Sequence, residues 1–487
     1  MTLRRATNVE FHDIQGLVQR GYKELPVAEY GLFQIEEPVR ARAWLARIVD
    51  HIEPATGPGE DHPRDHAVQV AFTCDGLREL GLAETIINEF PREFREGMVT
   101  THRGRLLGDM GQSEPAHWDW GAQQDATQGA GGWRSDSRLH LLVLLYAKDS
   151  AAYDRAHAMF RPTQGLREIK RLGTSLLAGP ELNPEGERNW PKEHFGFRDG
   201  IAQPHLAGFP PRAVGPPPTQ NNTIPAGEGL LGYENAYGEM PEGPTDAQGY
   251  GFGRNGTFLV FRQLRQDVVA FWNYIGTQVQ RNPDAAITLA SKMVGRWPDG
   301  TPLVLSPDGP KEGAQTHDQF TYANDPAHPD PYGFRCPIGS HIRRTNPRDS
   351  LNEDPEQAQA LANRHRMIRR SRAYGQPLVE DMDPRKLMGA TDNGAERGLH
   401  FISLNAAISR QFEFVQNLWV NSPKFGNLYD DPDPLIGVVD GQHGNFTVQA
   451  EPVRRCHAAM PRFVQVRGGA YFFLPGIQAV RTLATLS

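Results

Sequence analysis

Cysteine is scarce in this chain of 487 residues: Cys74, Cys336 and Cys456 stand far apart, and no two form a CxxC pair. That excludes a disulfide framework and leaves no thiol cluster for zinc or an iron–sulfur centre. Long apolar runs are also missing. No stretch approaches the ~20 residues of a membrane-spanning helix, and the twin arginine Arg4–Arg5 lacks the apolar run that an export signal needs behind it. Isolated thiols and no leader pattern favour the cytoplasm. Positive charge is not in excess either, the formal net charge being -7. A nucleic-acid binder usually carries a basic stripe to meet phosphates. The short basic runs here, "HIRRTNPR" and "NRHRMIRRSR", sit among apolar and turn residues and suit a local anionic group. Neither a nucleic acid nor a membrane is expected as a partner.

What is present is a globular composition, 38% hydrophobic and 22% charged, with 50 glycines and 39 prolines to supply long loops. Single cores stop growing at roughly 250–300 residues, so two domains are expected. Strand-then-helix units recur along the chain: "YGLFQI" before "EEPVRARAWLARIVDHI", "AVQVAFT" before "CDGLREL", "RLHLLVLLYA" before "KDSAAYDRAHAMF", "GTFLVF" before "RQLRQDVVAFWNYIGTQV", and "LHFISLN" before "AAISRQFEFVQNLWV". Val268, Phe271, Trp272 and Ile275 fall at i, i+3, i+4 and i+7, one face of a helix. The first and fourth units share a layout that suggests a duplicated strand–helix domain. A Pro-, Gly- and Asn-rich stretch over 209–251 marks a boundary. The expected division is 1–235 and 250–487, each an α+β domain with helices packed on a sheet. Parallel βαβ units rank second, because no Gly-rich phosphate loop follows a strand.

Three segments carry possible chemistry. In "FGFRDGIAQP" (195–204) Asp199 and Gly200 read either as a tight turn or as a carboxylate held against an apolar wall for proton transfer. In "RCPIGSHIRRTNPRD" (335–349) Pro337 and Gly339 bend the chain just before His341. That imidazole is either a loop histidine among solvated charges or an axial ligand to haem iron. Arg343, Arg344 and Arg348 beside it could meet carboxylates such as haem propionates. In "HRMIRRSRAYG" (365–375) the arginines form either a solvated face or a fixed positive charge turned into a pocket.

Together these segments resemble the dye-decolorizing peroxidase family. "GFRDG" (196–200) matches its GxxDG motif, "CPIGSHIRRTNPR" (336–348) resembles its proximal-histidine segment, "MIRRSRAYG" (367–375) its distal-arginine segment, and "GLHF" (398–401) its pocket strand. "DIQGLVQRGY", "AFTCDGLRELG" and "FPREFREGM" are similar to its longer bacterial subgroup. The resemblance implies two ferredoxin-like domains with antiparallel sheets and peripheral helices, the first carrying the GxxDG motif and the C-terminal one the haem. It implies one haem b per chain with iron ligated by His341, and Asp199 and Arg369 as the catalytic acid–base residue and distal arginine. Arg370 leaves that last assignment open by one residue. Gly200, Arg344, Leu399 and Phe401 would contact the cofactor. Asp433 would bond the ligand histidine, with Asp430 and Asp431 as neighbouring alternatives. The implied activity is reduction of hydrogen peroxide with oxidation of dyes, phenols or other aromatic one-electron donors. An apolar wall raises an aspartate's pKa while an arginine lowers it, and either balance favours acidic pH. The competing reading is a haem-binding protein that stores or delivers haem, or strips iron from it, without peroxidase turnover. A haem-free binding module would leave the three ordered motifs unexplained.

Overall fold

The computed structural model describes residues 9–59, 65–128, 132–161, 164–175, 177, 191–211, 219–439 and 444–486. The twin arginine and residues 212–218 of the boundary stretch lie outside them. Nine strands form one sheet: β1 (Val27–Ile35), β2 (His66–Phe72), β3 (Leu141–Ala147), β4 (Leu166–Gly173), β5 (Thr257–Gln266), β6 (Ile368–Arg369), β7 (Arg372–Tyr374), β8 (Gly398–Asn405) and β9 (Val464–Leu474). The N-terminal half is ordered β4-β1-β3-β2. The C-terminal half is ordered β9-β5-β8, with the short β6 and β7 both on the far edge of β8. In each half the first strand therefore lies between the fourth and the third, and every pair is antiparallel. This is the duplicated ferredoxin-like α+β arrangement.

Helices follow the strands where the periodicity places them. The helix α1 (Pro38–Ile48) follows β1, with Pro38 at its first turn, where its missing N–H costs nothing. Asp149 caps α2 (Ser150–Phe160) by accepting from Ala152 N–H, and Asp267 caps α3 (Val268–Gln278) by accepting from Ala270 N–H. On α3 the four spaced residues Val268, Phe271, Trp272 and Ile275 are all buried. The segment after β8 differs from expectation. It winds as a π-helix over Ser409–Glu413 and Val415–Asn421, with the Glu413 amide reaching back five residues to the Ile408 carbonyl at 2.9 Å. The wider turn aims Glu413 at Arg103 and at the Tyr471 hydroxyl, both 2.9 Å away.

Each half was expected to carry its own sheet; the two are joined edge to edge where β9 meets β2 through the pair Phe473↔Phe72. The inner faces of the two halves also share one core, in which Tyr30, Leu142 and Leu144 from the first half lie with Leu259, Phe261, Ile402 and Leu404 from the second. Tyr30 packs edge-on to Phe261 at 5.8 Å. The GxxDG segment, counted with the N-terminal half by sequence, packs on the other half. Phe195 stacks on Phe271 of α3 at 4.4 Å, and Phe197 joins the same cluster.

Candidate active site

Alternation along the sheet edge decides which arginine faces the site. Arg369 pairs with Ser403 and Ala373 with Leu399, so Arg369, Leu399, Phe401 and Ser403 share one face of the sheet. Arg370 and Arg372 point to the other face. There Arg370 donates to the carbonyls of Leu17 (2.7 Å) and Val18 (2.6 Å), and Arg372 to that of Leu25 (2.8 Å). Of Arg369 and Arg370, it is Arg369 that lies on the face shared with Leu399 and Phe401. Its backbone N–H donates to Gln203 Oε1 at 2.9 Å, and its Nη2 to the Ala202 carbonyl, so it is tied to the chain just beyond the GxxDG motif. Leu399 and Phe401 are both half-buried on that face.

His341 opens a short helix, α4 (His341–Thr345), after the bend at Pro337–Ser340. Its Nδ1 lies 2.9 Å from Asp433 Oδ2, with Asp433 wholly buried and 27% of the imidazole side chain accessible. The Nδ1 edge is thus taken up by Asp433, while part of the ring stays exposed. Asp433 is fixed in turn by the Leu435 and Ile436 amides, which donate to Oδ1 at 2.9 and 3.0 Å. This separates it from its neighbours: Asp430 accepts from Asn445 at 3.3 Å, and Asp431 contributes a carbonyl to Arg344. Burial alone would raise the Asp433 pKa, but the charge and hydrogen bond of His341, with Arg344 and the Ile436 amide, hold it below the usual carboxylate value. For His341 burial opposes protonation, yet the charge and hydrogen bond of Asp433 outweigh it and raise the pKa. Arg369 and Asp199 also act on that imidazole, Arg369 downward and Asp199 upward. Burial lowers the Arg369 pKa, opposed by the charges of Asp199 and Asp318. Asp199 and Arg369 are thus near enough to His341 to act on its charge, and Asp199 to act on that of Arg369.

The GxxDG glycines have a backbone reason. Gly196 has φ +94° and Gly200 φ +74°, a region that disfavours any residue with a Cβ. The turns they make send Phe195 and Phe197 into the core and Asp199 outward. Asp199 was expected against an apolar wall; it is exposed instead, with Oδ1 accepting from the Gly200 amide at 2.6 Å. The apolar neighbours that suggested the wall face the opposite way. Gly200 lies beside Lys23, whose Nζ would come within 3.0 Å of a Cβ placed there.

The arginines after His341 serve the protein itself. Arg344 was expected on the cofactor, but it is fully buried and donates to the carbonyls of Trp419 (2.7 Å), Asp431 (2.7 Å) and Ser422 (2.5 Å). It closes the C-terminal end of the π-helix, where carbonyls lack helical partners and a cation is favoured. Arg343 meets the Asp330 carboxylate at 3.0 Å and Arg348 that of Asp318 at 2.5 Å, so the carboxylates they find are internal. Sequence reading missed Glu193 and Gln203. Glu193 is signalled only by being the acid that opens the "EHFGFRDG" turn, and Gln203 by following the motif closely.

No family model matches the chain. The dye-decolorizing peroxidase of Exidia glandulosa is 30% identical over 439 residues, covering 85% of this chain and 75% of that protein. Among solved structures, the fungal DyP-type peroxidase of Auricularia auricula-judae superposes with a TM-score of 0.73 at 25% identity, over 99% of this chain and 100% of that one. A dye-decolorizing peroxidase complexed with 2,6-dimethoxyphenol gives 0.72 at 24% identity, over 98% and 100%. The chain belongs to the dye-decolorizing peroxidase family. It is accordingly a peroxidase, an oxidoreductase acting on peroxide, in a family of haem enzymes. The likeness extends to a fungal member and is not confined to the bacterial subgroup suggested by the N-terminal segments.

The site's donor set suits such a group. Among the described residues no cluster of three His, Cys, Asp or Glu side chains could cage a metal ion. A single imidazole anchored through Nδ1 would suit haem, which would bring the iron's other ligands with it.

Proposed function

We propose that this chain holds one haem b, with its iron on His341, and uses it to reduce hydrogen peroxide at the expense of aromatic donors. The observation that supports this reading is the His341–Asp433 pair, with Asp199 and Arg369 near enough to act electrostatically on the imidazole. Haem, when bound, supplies the redox chemistry that breaks the O–O bond and accepts electrons from donors one at a time. The protein supplies the rest. Asp433 accepts the Nδ1 proton of His341, which fixes the tautomer, leaves Nε2 as the ligating atom and makes the ring more electron-donating. Asp199 takes the proton from one peroxide oxygen and returns it to the other, so that the leaving oxygen departs as water. Arg369, on the sheet face it shares with Leu399 and Phe401, stabilises the negative charge that develops on that oxygen. Leu399, Phe401 and Gly200 line the cofactor's surroundings, the first two excluding water from the face that carries Arg369.

Dyes and phenols are the donors we assign, in keeping with the dimethoxyphenol complex of the relative, and activity is expected to favour acidic pH. We place the protein in the cytoplasm, as its unpaired thiols Cys74, Cys336 and Cys456 suit a reducing compartment. The two halves, 1–235 and 250–487, are proposed as duplicated units with the cofactor in the second. The test is the visible spectrum of haem-supplied protein before and after one equivalent of hydrogen peroxide. A Soret band that shifts within seconds and recovers when a phenol is added supports the reading. A band indifferent to peroxide would transfer the site to haem handling. His341→Ala should lose the haem, and a variant with an unchanged spectrum would remove His341 as ligand.

A further inference from the structure

We infer that Glu193, a half-buried carboxylate outside the assigned site, is a positioning residue that straps the loop carrying Asp199. The inference rests on Asp199 being the group that moves the proton. Glu193 Oε1 accepts from the Phe197 amide at 3.0 Å, and Oε2 accepts from the Phe195 amide at 2.9 Å and from Gln266 Nε2 at 2.6 Å. Its own backbone joins in: its N–H donates to the Phe197 carbonyl at 2.8 Å, and its carbonyl accepts from the Gly196 amide at 2.9 Å. Five bonds thus gather residues 193–197 into one turn and moor it to the end of β5, the strand that also carries the pocket half of the sheet. Asp199 lies two residues beyond the last of these contacts, with its amide donating to the Pro191 carbonyl at 3.3 Å on the other arm of the turn. A proton shuttle has to be held within a fraction of an ångström of its substrate, and that requires a supporting shell of this kind.

The carboxylate is suited to the task by its chemistry. All three side-chain contacts are donors, so an acceptor-only carboxylate satisfies them, whereas a neutral carboxyl must turn one O–H against an N–H. Burial works against the charged form and, with the negative charge of Asp199 adding to it, pushes the pKa up to about 7 despite those three bonds. The other charge that couples to it is Lys192, adjacent in the chain and half-buried. The strap therefore changes its protonation near neutrality.

Glu193→Gln keeps the shape and replaces one acceptor with a donor. In the haem-supplied protein, the expected result is a second-order rate with hydrogen peroxide at least about tenfold lower, with unchanged haem content and unchanged KM for a phenolic donor. The wild-type pH profile of that step should bend near pH 7, and the bend should be missing from the variant. In cofactor-free protein, hydrogen exchange of the Phe195 and Phe197 amides should be faster in Glu193→Gln by about tenfold or more. Native peroxide rates with the bend intact, or unaltered exchange of those two amides, would overturn the inference. Asp199→Asn, run alongside, separates the two readings. If it slows the peroxide step and Glu193→Gln does not, positioning fails and the shuttle stands. If neither slows it, the Asp199 assignment is what has failed.

Discussion

Replacing Arg344 distinguishes a residue that binds the cofactor from one that holds the protein behind it. Its guanidinium makes three short bonds, to the carbonyls of Trp419, Asp431 and Ser422. A hydrogen bond from a charged donor contributes about 1.5–3 kcal/mol net, and a buried carbonyl left bare costs a similar amount. Against this stands the cost of burying the guanidinium. Burial pushes its pKa down to about 10, opposed by Asp433 and Asp431, a penalty of about 3 kcal/mol. Arg344→Met fills much of the same volume without charge, so the balance is a loss of about 2–5 kcal/mol of folding stability. Arg344→Lys keeps a charge but not the planar fork, and should recover less than half of that loss. The assay is urea unfolding of cofactor-free protein, followed by titration with haem under native conditions. The expected outcome is a lowered midpoint, with haem affinity reduced only as far as His341 and Asp433 lose their alignment. A variant that unfolds at the native midpoint yet no longer retains haem would refute the reasoning and return Arg344 to the cofactor.

Glycine substitutions in the motif should differ in cost. Gly196→Ala strains a positive φ and brings a Cβ within 3.0 Å of the Met382 carbonyl and the Leu387 side chain, so thermal unfolding should report a loss of ~2 kcal/mol or more. Gly200→Ala meets only the flexible end of Lys23 and should cost about 1 kcal/mol. Phe271→Ala removes the ring on which Phe195 stacks and should cost about 3–5 kcal/mol, with the peroxide step slowed more than haem binding. The pH dependence of stability has opposed parts. Glu193, held at about 7 against an ordinary 4.5, contributes stability that is fully present below about pH 4.5 and lost as pH rises through 7, worth about 3 kcal/mol. His194 and His400, pushed by burial down to about 4, contribute stability that is present above about 6.5 and lost as pH falls toward 4. Between pH 7 and 5 these trends oppose one another. Urea midpoints of Glu193→Gln should therefore fall more steeply on acidification than those of wild type, and parallel curves would contradict the assignment.

Much of this architecture is legible in the chain because its inner strands are buried on both faces and read as apolar runs. All seven residues of β3, "LLVLLYA", are buried, and α3 displays its stripe openly. The order of the three motifs carried the site. What remained hidden depended on parity and reach. Whether Arg369 or Arg370 faces the pocket follows from which β8 residue each opposes, and no local pattern encodes that register. Asp433 differs from Asp430 and Asp431 only in which carboxylate the fold brings to His341. Arg344 resembles an anion binder until the open carbonyls at the end of the π-helix come within its reach. The apolar residues around Asp199 misled for a related reason: a turn built on positive-φ glycines reverses the side that its neighbours face.

The pair Phe473↔Phe72 also bears on how the molecule is made. Before residues 464–474 have left the ribosome, β2 is an unpaired edge, and the inner face of the first half lacks the partner that covers it. A nascent chain in that condition offers a ready template to any other extended segment. Closure therefore waits on the last strand to be synthesised, and truncations that remove β9 should yield aggregating half-sheets rather than a smaller, separately folded domain.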